Sequence, residues 1–440
     1  MRSCSISLKN SHGADGAWRR VLIGVLVVPL LVPLLLGAAG CRSTEPLSRS
    51  ADAALLAASD EQRAARQALA AVPLEERIAL IEADMQRTLV EVGDGALAPR
   101  QLSRSGRPGP VHLETNAAVL SALAAKYGAT GDPESKALGE RIIRGIIALD
   151  ALSGELDGFI PRFAAANTLE PARSETTHSN AYTQLFFAYV LADRYFGPNE
   201  DLQRHVSLIY QRWVDDGFAL KQIDGSYVGR ANLQALFMHF NARKTFDRRL
   251  LDDAAYHLGD EATRALVEQH RWRSPRLGPL HLRLFAAEFP TTSSSWLNLQ
   301  ALTALTLLGN EYGGHVVDLA GKYERDDNPF FRVLAAMCGG DEDLAAIRQR
   351  LEEFPYPATT SGIINSHRDD VSLGPKNFIK LRASPESHEP LPLYDVRSST
   401  YLWKRSLLQI DSMPEQNPEI LLGHDLYQAY WLLRLLEQDR

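Results

Sequence analysis

The sequence predicts an all-α protein, an α/α toroid of helical hairpins with a long irregular segment near the C-terminus. Two kinds of helical segment alternate along the chain. Some carry a single apolar stripe, and others are apolar nearly all round. A helix with no polar face must be buried on every side, whereas a striped one faces solvent on its back. Fully buried helices as an inner ring, with one-faced helices as an outer ring, satisfy both kinds at once. Residues 355–418 interrupt the pattern, being rich in Pro, Ser and Gly.

The first element is a leader. Residues 1–20 are polar and end in Arg19-Arg20, and Val21 to Leu36 is an uncharged apolar run. Gly37-Ala38-Ala39-Gly40 then supplies small residues immediately before Cys41. Basic n-region, apolar h-region and small-residue end form a signal-peptide pattern. Ala38-Ala39-Gly40-Cys41 resembles the bacterial lipobox, with Ala where Leu is commonest at its first position. That resemblance implies removal of residues 1–40 and lipidation of Cys41, with palmitate among the attached chains and the membrane as a partner through the lipid. Arg42 stands where an Asp would imply inner-membrane retention, so the resemblance implies a cell-envelope protein on the outer membrane. The alternative is an uncleaved transmembrane anchor, since the apolar run is nearly long enough to span. Pro29 and Pro33 would kink such a helix.

Residues 41–72 follow as a lipidated tether with an Ala-rich spacer, and the globular domain is expected over 73–440. In 201–214, Leu202, His205, Val206, Ile209, Tyr210, Trp213 and Val214 share one stripe. In 134–149, Leu138, Ile142, Ile146 and Leu149 do the same. Leu185 to Leu191, Leu297 to Leu308 and Leu426 to Leu436 are the all-apolar kind. Asn232-Leu233-Gln234-Ala235-Leu236 and Asn298-Leu299-Gln300-Ala301-Leu302 are near copies, each opening an inner helix. From Pro73 onward the helix pattern and loop style resemble the six-hairpin toroid superfamily, which includes many glycoside hydrolases and polysaccharide lyases. A two-layer helical solenoid is the rival architecture, but it would carry a more regular repeat.

Charge narrows the function classes. The formal net charge is −7, and the leader carries Arg2, Lys9, Arg19 and Arg20 against Asp15, so the processed chain stands near −10. A nucleic-acid partner would need a basic face, and none is expected. Of three cysteines, Cys4 lies in the leader and Cys41 at its end, leaving Cys338 alone. No zinc-binding or calcium-binding spacing, nucleophile elbow or phosphate loop occurs, so neither a metal nor a cofactor is expected.

In a toroid, the loops leading into inner helices line one mouth. Those loops here carry Asp157-Gly158, Arg162, His178, Asn180, Tyr182, Asp224-Gly225, Tyr227, Arg230 and Asn232. Trp296, Asn298, Tyr401, Trp403, Arg405, His424, Asp425 and Tyr427 complete the set. Asp-Gly makes turns and Asn, Asp and Ser cap helices, which accounts for part of the pattern. Aromatic faces also stack on sugar rings, and Arg or Asn holds carboxylates and hydroxyls. Glycoside hydrolysis needs two carboxyl groups, with Asp157, Asp224 and Asp425 as candidates. β-Elimination from a uronic acid needs a base and a carboxylate holder. His178, Asn180, Tyr182, Arg230, Asn232, Tyr401 and Arg405 offer those. The expected function is an envelope lipoprotein that binds or cleaves an oligo- or polysaccharide. The alternative is a non-catalytic helical lipoprotein that docks a protein partner.

Overall fold

The computed structural model describes residues 49–100, 109–154, 156–165, 172–216, 219–221, 223, 225, 227–230, 292–309, 312–357, 389–396, 402–408 and 423–439. The leader, Cys41, Asp224, Asn232 and Tyr401 lie outside the described residues. The chain divides into two units, Met1–Leu55 and Leu56–Arg440. Of the first, only residues 49–55 are described, and they are helical. All the packing and sheet pairing described belongs to the second.

The described region is 67% helix and 7% strand, so the largely helical fold is there with small sheets added to it. Eleven α-helices are described: α1 (Arg49–Ala70), α2 (Leu74–Thr88), α3 (Leu113–Thr130), α4 (Pro133–Asp150), α5 (Ser179–Phe196), α6 (Glu200–Asp215), α7 (Thr292–Leu307), α8 (Gly313–Gly321), α9 (Pro329–Met337), α10 (Leu344–Glu352) and α11 (His424–Gln438). Their starts follow local chemistry. Pro133 and Pro329 open α4 and α9, where a missing N–H costs nothing. Asp132, Asn328 and Asp343 cap α4, α9 and α10 by accepting backbone N–H groups. Gly131, at φ 69°, ends α3 in the left-handed conformation.

The two kinds of helix are both present. Leu113–Ala125 of α3, Ala181–Ala192 of α5 and His424–Leu433 of α11 are buried residue after residue. By contrast α4 buries one stripe, Gly139, Ile142, Ile143, Ile146 and Leu149 among it. In α6, Leu202, His205, Val206, Ile209 and Tyr210 are buried, as their spacing predicts. The buried helices pack in the order α11, α3, α5, α7, α9, and α9 also packs on α11. These five run parallel. Gln428 of α11 donates to Ser121 of α3 at 2.7 Å, and further along Lys126 lies over Trp431. Gly128 of α3 faces Tyr195 of α5, and Arg194 of α5 reaches the Leu307 carbonyl of α7. Phe330 of α9 stacks on Trp403, whose indole N–H donates to the Asp425 carbonyl of α11. Their leading ends therefore lie at one end of the domain.

Seven short strands depart from the all-α expectation: β1 (Leu89–Gly93), β2 (Ala96–Pro99), β3 (Val111–His112), β4 (Phe163–Ala165), β5 (Ala172–Arg173), β6 (Ala219–Lys221) and β7 (Tyr227–Arg230). They form antiparallel sheets β1-β2, β3-β4-β5 and β6-β7. The β3-β4-β5 sheet pairs His112 with Phe163 and covers the approach to α3. β2 lies against α4 at Gly145, where a Cβ would sit 2.0 Å from the Leu97 oxygen. No larger residue permits that approach. Within 355–418, the described stretches 389–396 and 402–408 are turns and one 3-10 turn, Leu402–Lys404.

Candidate functional site

The end where the parallel helices start carries a cluster of charged groups. Glu114 sits in the first turn of α3 and Asp425 in the first turn of α11, and both are buried. Helix N-termini favour negative charge, so each carboxylate sits where its helix dipole stabilises it. The turn Leu402–Lys404 is fixed from two sides. The Trp403 indole donates to the Asp425 carbonyl at 2.9 Å, and the Trp403 carbonyl accepts from Asn328 Nδ2 at 3.0 Å. That places the Lys404 ammonium in the fields of Glu114, Asp425, Arg405 and Arg162. Burial depresses the Lys404 pKa, the two carboxylates oppose this, and the two arginines add to it. Arg162 is exposed, and its carbonyl accepts the Leu113 N–H, tying it to the start of α3. His112 is held below its ordinary pKa by burial and then by Arg162. The exposed ring of Phe163 lies 6.0 Å from His112. The cluster thus combines two buried carboxyl groups, a half-buried lysine, two arginines, an imidazole and an exposed aromatic ring. His424 precedes Asp425, with Nε2 3.7 Å from the Asp425 carboxylate.

Among the sequence candidates, Arg162, Arg405, His424 and Asp425 belong to this cluster. His178, Asn180, Trp296 and Asn298 lie at the same end of the domain, on the leading turns of α5 and α7. His178 Nδ1 caps α5 by accepting the Asn180 N–H at 3.1 Å, so its neutral form carries the proton on Nε2. Trp296 and Asn298 are buried. The backbone of Tyr227 and Arg230 is in β7, and their side chains lie outside the described set.

Four expectations are revised by what the side chains touch. Asp157 is not available as an acid. Burial alone would raise its pKa, but Arg173 and the Phe159 N–H outweigh it and bring the pKa to about 2. Arg212 adds a third contact at 2.9 Å. Tyr182 is buried, and its hydroxyl accepts the Ile160 N–H at 3.1 Å, holding the 157–162 loop rather than facing a ligand. Trp403 is fully buried between Phe330 and Phe354, a core side chain and not a stacking platform. Tyr427 donates to Glu82 of α2 at 3.0 Å and is also core. In each case a side chain with a polar tip serves a partner inside the fold, as buried polar groups generally do.

A separate buried chain of polar groups links α4, α5 and α6. Tyr189 Oη is 2.8 Å from His205 Nδ1, and His205 Nε2 is 3.0 Å from Asp150. Asp150 also accepts from Arg173 at 2.6 Å and from the Gly158 N–H at 3.0 Å. Burial raises the Asp150 pKa, while the His205 hydrogen bond opposes it. Tyr189, His205 and Asp150 are all fully buried, which makes the row a structural tie between α4, α5, α6 and the 157–162 loop.

No family model, curated protein or solved structure matches the chain.

Among the described residues, no group of His, Cys, Asp and Glu is placed to hold a metal ion, and no helix is long and apolar enough to cross a membrane. The run Val21 to Leu36 lies outside them. Sequence reasoning missed His112, Glu114, Phe163 and Lys404. Glu114-Thr115-Asn116 is a readable signal, being a polar start to an Ala-rich helix with no other charge before Lys126.

Proposed function

We propose that the chain is the precursor of a lipid-anchored cell-envelope protein. Its five parallel helices belong to an α/α toroid that binds a carbohydrate at their leading ends and cleaves it there. One observation carries the reading: two buried carboxyl groups stand on the first turns of the neighbouring helices α3 and α11, and the charge of each acts on Lys404. The alternation of buried and one-faced helices supports the toroid, and so does the circuit of contacts through α9. Hydrolysis of a glycosidic bond takes one carboxyl group as proton donor to the leaving oxygen. The other acts as base or nucleophile. Glu114 and Asp425 take these parts. Lys404 and Arg405 hold them in place and bind hydroxyl or anionic substituents of the sugar, with Arg162 and Phe163 at the outer edge.

The test is turnover of a panel of neutral and acidic oligosaccharides, followed by the appearance of new reducing ends. Glu114→Gln and Asp425→Asn keep the shape and remove the ionisable group. Each is expected to lower turnover by roughly 10²–10⁴-fold. Unchanged turnover in both variants overturns the assignment of the carboxyl pair. Products bearing a new carbon–carbon double bond would replace hydrolysis with elimination. If no sugar in the panel binds or reacts, the carbohydrate reading falls.

A further inference from the structure

The Ala-rich stretch before the globular domain reads from sequence as a spacer, yet two of its arginines are engaged by residues 330 or more positions away. Arg66 of α1 is buried, and its Nη2 donates to the Val396 carbonyl at 2.9 Å. Arg63 pairs with the fully buried Asp395 carboxylate at 2.7 Å and lies 5.6 Å over the Tyr394 ring. A guanidinium buried this deeply stays only where hydrogen bonds and opposite charge compensate its lost hydration. Burial draws the Arg66 pKa down to about 10, and the nearby Asp395 charge works against that. A spacer has no need of such contacts.

The segment that α1 grips is tied in turn to the candidate site. Asp395 donates its N–H to the Pro392 carbonyl, and the Leu391 N–H donates to the Leu407 carbonyl at 2.7 Å. Leu391 and Leu407 thereby join stretch 389–396 to stretch 402–408, which carries Trp403, Lys404 and Arg405. From the other side, Arg350 of α10 donates to the Leu391 carbonyl, and Glu353 accepts the Leu393 N–H at 3.1 Å. Leu391, Leu393, Val396, Trp403 and Leu407 are all buried. These two stretches have almost no secondary structure of their own. Their position depends on what lies over and under them.

We infer that α1 is a strap, with Arg63 and Arg66 as positioning residues that clamp 394–396 and so fix Lys404 and Arg405 at the leading ends of α3 and α11. Its importance for catalysis rests on the carbohydrate-site reading, but the clamp itself does not. Loss of the clamp frees a turn that carries two of the site's cations, while the helices behind it stay packed.

Hydrogen exchange of the full chain separates the possibilities without any ligand. Arg66→Ala is expected to speed exchange across 389–396 and 402–408 at least tenfold and to leave 113–125 of α3 unchanged. Asp395→Asn removes the partner of Arg63 without emptying the Arg66 site. It is expected to act in the same direction, and it decides the question if Arg66→Ala fails to fold. Reactivity of the Lys404 amine toward an acylating reagent is read in parallel. It should change in both variants and return toward wild type in Arg66→Lys. Faster exchange in 389–396 with 402–408 and Lys404 unaltered overturns the strap. So does unchanged exchange in both stretches.

Discussion

Arg173→Ala is expected to lower the unfolding free energy by ~3–5 kcal/mol, the range seen when one partner of a buried ion pair is removed. The side chain serves two carboxylates at once, Asp150 at 2.6 Å and Asp157 at 3.0 Å, and also reaches the Asp150 carbonyl. Its guanidinium further lies 5.1 Å from the centre of the Phe159 ring. Without it, Asp150 keeps His205 but loses the guanidinium 2.6 Å away, at a carboxylate fully buried from water. Chemical denaturation of wild type and variant checks this, and a difference below ~1 kcal/mol would show the network to be dispensable. The same clamp fixes a pH signature. Asp157 has a folded pKa depressed to about 2, so its contribution is complete above the unfolded carboxylate pKa of roughly 4. It disappears as the pH falls through 2. The stability gap between wild type and Asp157→Asn should therefore be full at pH 6 and close on acidification toward pH 2.

Cys41→Ala is expected to abolish lipid incorporation outright. The thiol is the attachment point that the Ala38-Ala39-Gly40-Cys41 pattern implies, and Cys4 and Cys338 lie outside that pattern. Palmitate labelling of cells expressing the two forms reads the difference directly. The variant should also keep its leader and run as a larger species. Equal labelling would rule out the lipid anchor and leave the apolar run as an uncleaved span.

Much of the helical plan was legible because burial on all sides leaves a compositional trace. Leu185 to Leu191 and Leu426 to Leu436 have almost no polar residue to turn toward water, and both became buried helices. α3 was harder to recognise as a fully buried helix, since small Ala and Ser residues alternate with the few large apolar ones from Leu113 to Ala125. The short strands left no trace. β3 and β5 are two residues each and exist only because a partner strand is held nearby. The candidate site was legible in part. Arg162, Arg405, His424 and Asp425 were named because polar residues before a buried helix gather where that helix starts. Trp403 and Tyr427 were misassigned because a polar-tipped aromatic serves a core as readily as a cleft. Only the position of the Asp425 carbonyl or Glu82 decides which. Arg63 and Arg66 looked like the solvated face of a spacer because their partners lie more than 300 residues on. No local pattern reports a contact at that distance.

If one sugar-binding basin lies where α3 and α11 begin, a bound sugar must protect both helix starts and the turn between them. Hydrogen exchange measured with and without a saturating oligosaccharide from the panel tests this most directly. Exchange is predicted to slow together in 112–116, 402–408 and 423–427, with 200–215 of α6 unchanged. Protection confined to other surfaces, or none at a concentration where calorimetry shows binding, would contradict the shared basin.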